Sequence, residues 1–361
     1  MDTRSRIENS QIENSRFGRP LRLHRTVALL ALTAWLLGNT SIIRAQSLER
    51  FEFREPHLGT IVGVTLYAPD EAVANDAARA AFARIEELNR ILSDYNPDSE
   101  VMKLCRTAGT GQAVPVSQEL FEVLTKSLEI SAATDGAFDV SIGPVVKLWR
   151  AARRLRKLPN EEQLAAARDL VGWKNIVLDA KQRTVELRKE KMLLDFGGIA
   201  KGYIADQTRA ALASRGIRQS LVAIAGDIAA GDPPPGREGW RIGVAPLLKP
   251  DGEPSRYLQL ANCSISTSGD AFQFVEIGGV RYSHIVDPQT GLGLTRRSSV
   301  TVIAPQGATA DAVATAISIL GTDRGVKLIE QTKGTVALIV QMRDDGPAVT
   351  ESPGFAKFVL P

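Results

Sequence analysis

From residue 60 onward, short blocks of alternating apolar and polar positions are separated by longer stretches with a helical period. Residues 60–67 alternate and are rich in β-branched side chains, which predicts a strand. Asp70 stands where a helix cap belongs. Ala74, Ala78, Phe82, Ile85, Leu88 and Leu92 then recur at helical spacing, predicting a helix that ends in the turn-rich segment 93–97. Tyr95, inside that turn, is expected to pack beneath it. A second helix is predicted from Ser117, with Leu120, Val123, Leu124 and Leu128 on one face. Strands at 176–178 and 184–187 come next, then a buried strand near 193–195 that runs through glycines into a helix closed by Gly216. The remainder reads as strands at 221–225, 240–244, 257–260, 264–270 and 299–303, a helix that carries Asp311 and ends at Gly321, a helix near 323–332 and a strand at 336–341.

A chain of 361 residues can bury a large core in one unit or in two closely packed ones. Lys and Arg number 44 against 41 acids, a formal charge of +3 that gives no argument for a nucleic-acid partner. The cluster Arg150, Arg153, Arg154, Arg156 and Lys157 reads as a solvated helix face. Cys105 and Cys263 are expected to be free thiols, because a domain of this size does not need one disulfide. The motifs of zinc hydrolases and serine esterases are absent.

Residues 1–45 read as a leader, with residues 46–361 as the folded body. A basic region containing a short repeat, Ile-Glu-Asn-Ser at 7–10 and 12–15, precedes the apolar run 26–38. Small residues follow. This is the pattern of a secretory signal, and the run is short for a membrane span. The long basic region and Arg44 leave an uncleaved anchor as the alternative.

Three stretches carry candidate chemistry. His284 is one of three histidines, the others being His24 and His57 in or near the leader. It is thus expected to be the only imidazole of the main body and, if positioned, a proton acceptor near neutral pH. A lone histidine between strand and turn is nevertheless more often structural. Asp311 and Thr315 lie four apart and share a helical face, where a carboxylate and a hydroxyl can meet a hard cation such as magnesium. The same pair also fits an ordinary acid near a helix start and a threonine bonded to its own helix. Asp195-Phe196-Gly197-Gly198-Ile199-Ala200-Lys201-Gly202 places glycines and a lysine at a helix N-terminus, which suits an anion. It is neither a Walker loop nor a dinucleotide fingerprint, and its glycines also permit simple close packing.

Together with Leu58-Gly59-Thr60, Ser93-Asp94-Tyr95 with Ser99-Glu100, Asp135-Gly136-Ala137-Phe138-Asp139, Gly226-Asp227, Thr267-Ser268-Gly269, His284-Ile285-Val286-Asp287-Pro288 with Gly291, and Ala310-Asp311 through Thr315, these stretches resemble the FAD:protein FMN transferase family, also called ApbE. The resemblance runs from about residue 50 to about 345. Leu58, Ser141 and Ala225 depart from the family pattern, which more often has Met, Thr and Gly there.

The resemblance implies an α+β fold of mainly antiparallel sheets flanked by helices. The architecture would be two-lobed and T-fold-type, with FAD in the cleft. It implies that magnesium is held by Asp311, Thr315 and the backbone carbonyl of Gly198, and that Leu58, Tyr95, Ala137, Phe138, Asp139, Asp195, Lys201 and Ile285 contact FAD. A threonine hydroxyl of an acceptor flavoprotein would attack the FMN phosphorus and AMP would leave. His284 is the expected base, with Asp287 orienting it or taking the proton itself. The implied setting is periplasmic, with acceptors among the subunits of membrane redox complexes. A magnesium-dependent FAD pyrophosphatase and a non-catalytic exported FAD-binding or other ligand-binding protein are the alternatives.

Overall fold

The structure, a computed structural model, describes residues 47–271 and 273–361, so the expectations for the leader lie outside the described residues. In chain order the elements begin with β1 (Glu49–His57), β2 (Thr60–Ala68), α1 (Glu71–Leu92), α2 (Glu100–Cys105), β3 (Val114–Pro115), α3 (Gln118–Ala133), α4 (Gly143–Leu155) and α5 (Glu161–Asp169). They continue with β4 (Ile176–Asp179), β5 (Thr184–Leu187), α6 (Ala200–Ala213), β6 (Ser220–Ile224), β7 (Asp227–Ala230), β8 (Trp240–Val244), β9 (Arg256–Leu260) and β10 (Cys263–Gly269). The last are β11 (Phe274–Ile277), β12 (Val280–Ser283), β13 (Ser298–Ala304), α7 (Gly307–Leu320), α8 (Thr322–Gln331), β14 (Val336–Arg343) and β15 (Gly346–Glu351).

Eight strands form one sheet in the order β1-β2-β6-β7-β10-β13-β14-β15, and every pairing in it is antiparallel. The fold is the expected α+β type. Period-two alternation gives this sheet two apolar faces. Val62, Val64, Val222, Val300 and Ile339 point into the larger core, shared with α1, α3, α6, α7 and α8. Leu221, Ile265, Ile303 and Leu338 point the other way, where the β8–β9 hairpin and Phe355 cover them. A third cluster lies apart: Val145, Trp149 and Ala152 of α4 pack against Ile277 and Tyr282 of the β11–β12 hairpin and against Val286.

Local chemistry accounts for the helices that position the site. The Asp70 carboxylate accepts the Val73 amide at 2.9 Å and caps α1, a contact worth about 1 kcal/mol. Phe82, Ile85, Leu88 and Leu92 are buried as their spacing predicts, each contributing roughly 1.5–3 kcal/mol. α7 is buried almost all round, from Gly307 to Ser318, so polar residues on it need partners inside the protein.

Several expectations need correction. Residues 193–195 make no strand; Leu193 forms only an isolated bridge to Ile142. His57 ends β1 inside the body and stacks on Phe82 at 5.5 Å, so His284 is not the only imidazole there. Tyr95 is 75% exposed rather than packed under its turn. Helices α2 and α5 and strands β1, β11, β12 and β15 carry too short or too polar a pattern to be read from periodicity. Both cysteines are free. Among the described residues no helix is long and apolar enough to cross a membrane.

Candidate active site

The first turn of α6 crosses the start of α7 at two glycines. A Cβ on Gly202 would stand 2.1 Å from the Gly307 carbonyl oxygen, so no larger residue allows this approach. The Asp206 carboxylate fixes the crossing: it accepts the amide of Gly307 and, at 2.6 Å, the hydroxyl of Ser264. Asp311, one turn further along α7, is thereby brought to the amide of Gly202 at 3.3 Å. That amide belongs to the first turn of α6, where N–H groups lack intrahelical partners and the helix dipole favours negative charge.

Lys201 completes the cluster. Its ammonium is 2.8 Å from Asp227 and 3.5 Å from Asp311. Both carboxylates are buried, and their pull raises the lysine pKa against the opposing effect of burial. Burial, reinforced by Asp227, pushes Asp311 up to about 7. Two carboxylates thus share one ammonium, and Asp227 Oδ1 is buried with no hydrogen-bond partner.

Thr315 Oγ1 lies 3.3 Å from Ser268 Oγ, and a Cβ on Gly198 would be 3.0 Å from that same threonine oxygen and 3.3 Å from Phe138 Cε2. The fold thus brings Gly198, Asp311, Thr315 and Lys201 into one cluster. Among the described residues no group of three or more His, Cys, Asp or Glu side chains is set to hold an ion. The donors here are two carboxylates and two hydroxyls. An all-oxygen set with an unsatisfied carboxylate oxygen fits a hard divalent cation that keeps positions open for other oxygens.

A second group adjoins it. Asp195 accepts from Arg150 at 2.8 Å and from the Gly197 amide at 2.8 Å, and Arg150 also pairs with Asp94. Burial and the neighbouring Asp94 raise Asp195 to about 6. The Arg150 guanidinium lies 4.1 Å from the Tyr95 ring centroid, holding an exposed aromatic face beside this ion cluster. Arg150 thus leaves the solvated face that the sequence suggested, while Arg154, Arg156 and Lys157 remain on it.

Ala137, Phe138 and Ile285 are buried. Asp139 spends both carboxylate oxygens within the chain, accepting the Ser141 amide and hydroxyl at 2.8 and 2.6 Å and the Trp173 amide at 3.0 Å. Leu58 occupies the β1–β2 turn with a φ of 55°, half-buried against the main core.

His284 follows β12, and its amide and its Nδ1 both face the Gln273 carbonyl, at 3.1 and 3.2 Å. A carbonyl only accepts, so Nδ1 carries the proton and Nε2 keeps its lone pair. Burial, with Arg153 and Lys201 close by, lowers the imidazole pKa to about 4 and keeps the ring neutral. The Asp287 carboxylate accepts the Gln289 amide at 2.8 Å in a turn, and the imidazole's partner is Gln273 instead.

Asp227, Ser268 and Arg150 received no role from the sequence. Asp227 and Ser268 sat in recognised motifs, and their strand parity was a usable signal, because Ser264, Ser266 and Ser268 alternate with Ile265, which faces the other core. Nothing local in the basic run distinguished Arg150 from its neighbours.

These features define a class: an α+β protein in which buried carboxylates, a lysine and a helix N-terminus meet where the helix layer covers an antiparallel sheet. The chain belongs to the ApbE family, whose family model matches residues 58–340. It is 30% identical over 281 residues to the FAD:protein FMN transferase of Haemophilus influenzae, covering 76% of this chain and 81% of that one. It is 29% identical to the Vibrio cholerae enzyme of the same name, over 90% of this chain and 98% of the relative. Among solved structures, the flavin transferase ApbE from Vibrio cholerae superposes with a TM-score of 0.78 at 28% identity, over 86% of this chain and 100% of that one. The ApbE protein from Thermotoga maritima gives 0.77 at 29% identity, over 87% and 100%.

Proposed function

We propose that this chain is a magnesium-dependent FAD:protein FMN transferase that links FMN to a threonine hydroxyl of an acceptor flavoprotein and releases AMP. The observation that carries this reading is the meeting of Asp227, Asp311, Thr315 and Lys201 behind Gly198. Family membership and the names of the relatives support the substrate class.

Asp311, Thr315, the Gly198 carbonyl and Asp227 would hold magnesium, which would supply Lewis-acid neutralisation of the pyrophosphate charge. Lys201 adds a full positive charge beside the same phosphates. Tyr95, exposed beside the site, offers a flat surface to a nucleotide ring. His284 Nε2 accepts the proton of the incoming threonine hydroxyl. As the new oxygen–phosphorus bond forms, the bond from that phosphorus to the bridging oxygen breaks, and the electron pair leaves with AMP. General-base assistance of this kind contributes roughly 10²–10⁴-fold. The leader pattern supports export to the periplasm, by cleavage or as an anchor, with acceptors among the subunits of membrane redox complexes.

The test is incubation with FAD, magnesium and a flavin-acceptor domain, read by intact mass of the acceptor and by nucleotide assay. A mass gain equal to FMN with release of AMP is expected. Free FMN and AMP with an unchanged acceptor would make the protein a pyrophosphatase instead, and intact FAD would make it a binding protein.

A further inference from the structure

Among the described residues the β11–β12 hairpin that carries His284 pairs only with itself, so no strand pairing there ties it to the eight-stranded sheet. Its inner face belongs to the α4 cluster through Ile277 and Tyr282, and the Trp149 indole donates to the Ser283 carbonyl at 3.2 Å. The Asp311 cluster, in contrast, is built on the sheet and on α6 and α7. A side-chain bridge crosses between the two bodies beside the site. Arg281 of β12 donates from Nε to Asp270 Oδ2 at 2.9 Å and from Nη2 to the Asp270 carbonyl at 2.6 Å.

Asp270 is well placed for this. It follows β10 on the parity of Ser264, Ser266 and Ser268, the parity opposite Ile265, and Ser268 touches Thr315. It is 4% exposed, and the Ser298 amide donates to its other oxygen at 3.3 Å. Arg297 Nε, buried and without a hydrogen-bond partner of its own, lies 3.7 Å from Oδ2 and adds a second positive charge. On the hairpin side, the Arg281 guanidinium lies 3.3 Å from the Phe274 ring centroid, so the arginine is held by the strand opposite as well. Arg281 precedes His284 by three residues, and the imidazole is fixed to the same hairpin through Gln273.

We infer that Asp270 and Arg281 are positioning residues that set the reach of His284 towards the phosphorus held over the Asp311 cluster. They act through the hairpin and do not touch the reacting atoms. The role in catalysis rests on the transferase reading above; the tether itself does not. Bidentate donation from a planar guanidinium fixes direction as well as distance, which a lysine ammonium does not reproduce.

The test uses Arg281→Gln and Arg281→Lys in the full chain. Substitution at Asp270 is avoided, because it would leave two guanidinium groups facing each other without their buried counter-charge. Without any substrate, hydrogen–deuterium exchange at the His284 amide is expected to speed up by at least about tenfold in Arg281→Gln while α7 stays protected, as local opening requires. Unchanged exchange there overturns the tether whatever the activity of the protein. In turnover, Arg281→Gln is expected to lower kcat on the order of 10²-fold, the cost of an ångström-scale misplacement, with the KM for FAD nearly unchanged. Arg281→Lys should recover part of that loss. In a His284→Ala background Arg281→Gln should cost almost nothing more, because residues that act through one another are not additive. An equal loss in both backgrounds overturns the positioning role. If the wild-type protein transfers no FMN at all, the functional reading fails, and the exchange result still decides the tether.

Discussion

Gly202 and Gly307 lie backbone against backbone, each leaving no room for a Cβ on the other: the nearest carbonyl oxygens would be 2.1 and 2.4 Å away. This contact sets the crossing of α6 and α7, and the crossing brings Lys201 and Asp311 together. Gly202→Ala should therefore destabilise the fold by about 1–3 kcal/mol, the usual cost of overpacking. It should weaken magnesium binding as well. Chemical denaturation and calorimetric titration read the two effects, and a stable variant with unchanged cation affinity would contradict this account of the crossing.

Asp311→Ala removes one of two buried carboxylates that face a single ammonium. Cation-dependent turnover should fall by roughly 10²–10³-fold or more, the scale for losing one preorganised electrostatic partner. The cation-free protein should melt no lower than the wild type, since the lost charge is one that burial opposes. Turnover at the normal rate in this variant would refute the metal assignment.

His284→Ala should reduce transfer by roughly 10²–10⁴-fold while FAD binding changes little, as expected for a base that acts only in the chemical step. Equal losses in binding and transfer would make the residue a ligand contact. The imidazole pKa near 4 gives a pH signature too. The unfolded chain takes up this proton below about pH 6.5, the folded chain only near 4. Folded-state stability from this group is thus intact above pH 6.5 and declines as pH falls towards 4. His284→Gln should flatten that decline, and denaturation curves at pH 4.5 and pH 7 for both proteins measure the difference.

Ala225 sits in the β6–β7 turn with a φ of 53°, in the left-handed region where a Cβ is strained. Ala225→Gly relieves that strain, worth about 1–2 kcal/mol, against an unfolded-state entropy cost of about 0.4–1 kcal/mol. A net gain of roughly 0.5–1 kcal/mol in denaturant unfolding is expected from that difference. A loss on Ala225→Gly would show that the turn is held at no cost by its neighbours.

The long periodic elements were legible because their patterns are local. The spacing from Ala74 to Leu92 repeats often enough to outweigh any single exception, and Asp70 marks its start. The segment 193–195 was misread because a short apolar run ahead of a glycine turn looks the same whether it pairs as a strand or merely fills a core. Tyr95 was misjudged for a similar reason: its burial depends on Arg150, 55 residues along the chain, which holds the ring in the open rather than under the turn.

The sequence alone determined the residue types of the site, the helical face shared by Asp311 and Thr315, and the glycine turn that opens α6. These follow from spacing along one element, where geometry is fixed by the backbone period. Only the tertiary structure decided that Asp227 and Ser268 join them, that Arg150 turns inward, and that His284 rides on a hairpin tied to the sheet by Arg281 and Asp270. Those relations join residues far apart in the chain, and their distances depend on how sheet, helices and hairpin pack. Packing is a property of the assembled core that no local pattern encodes.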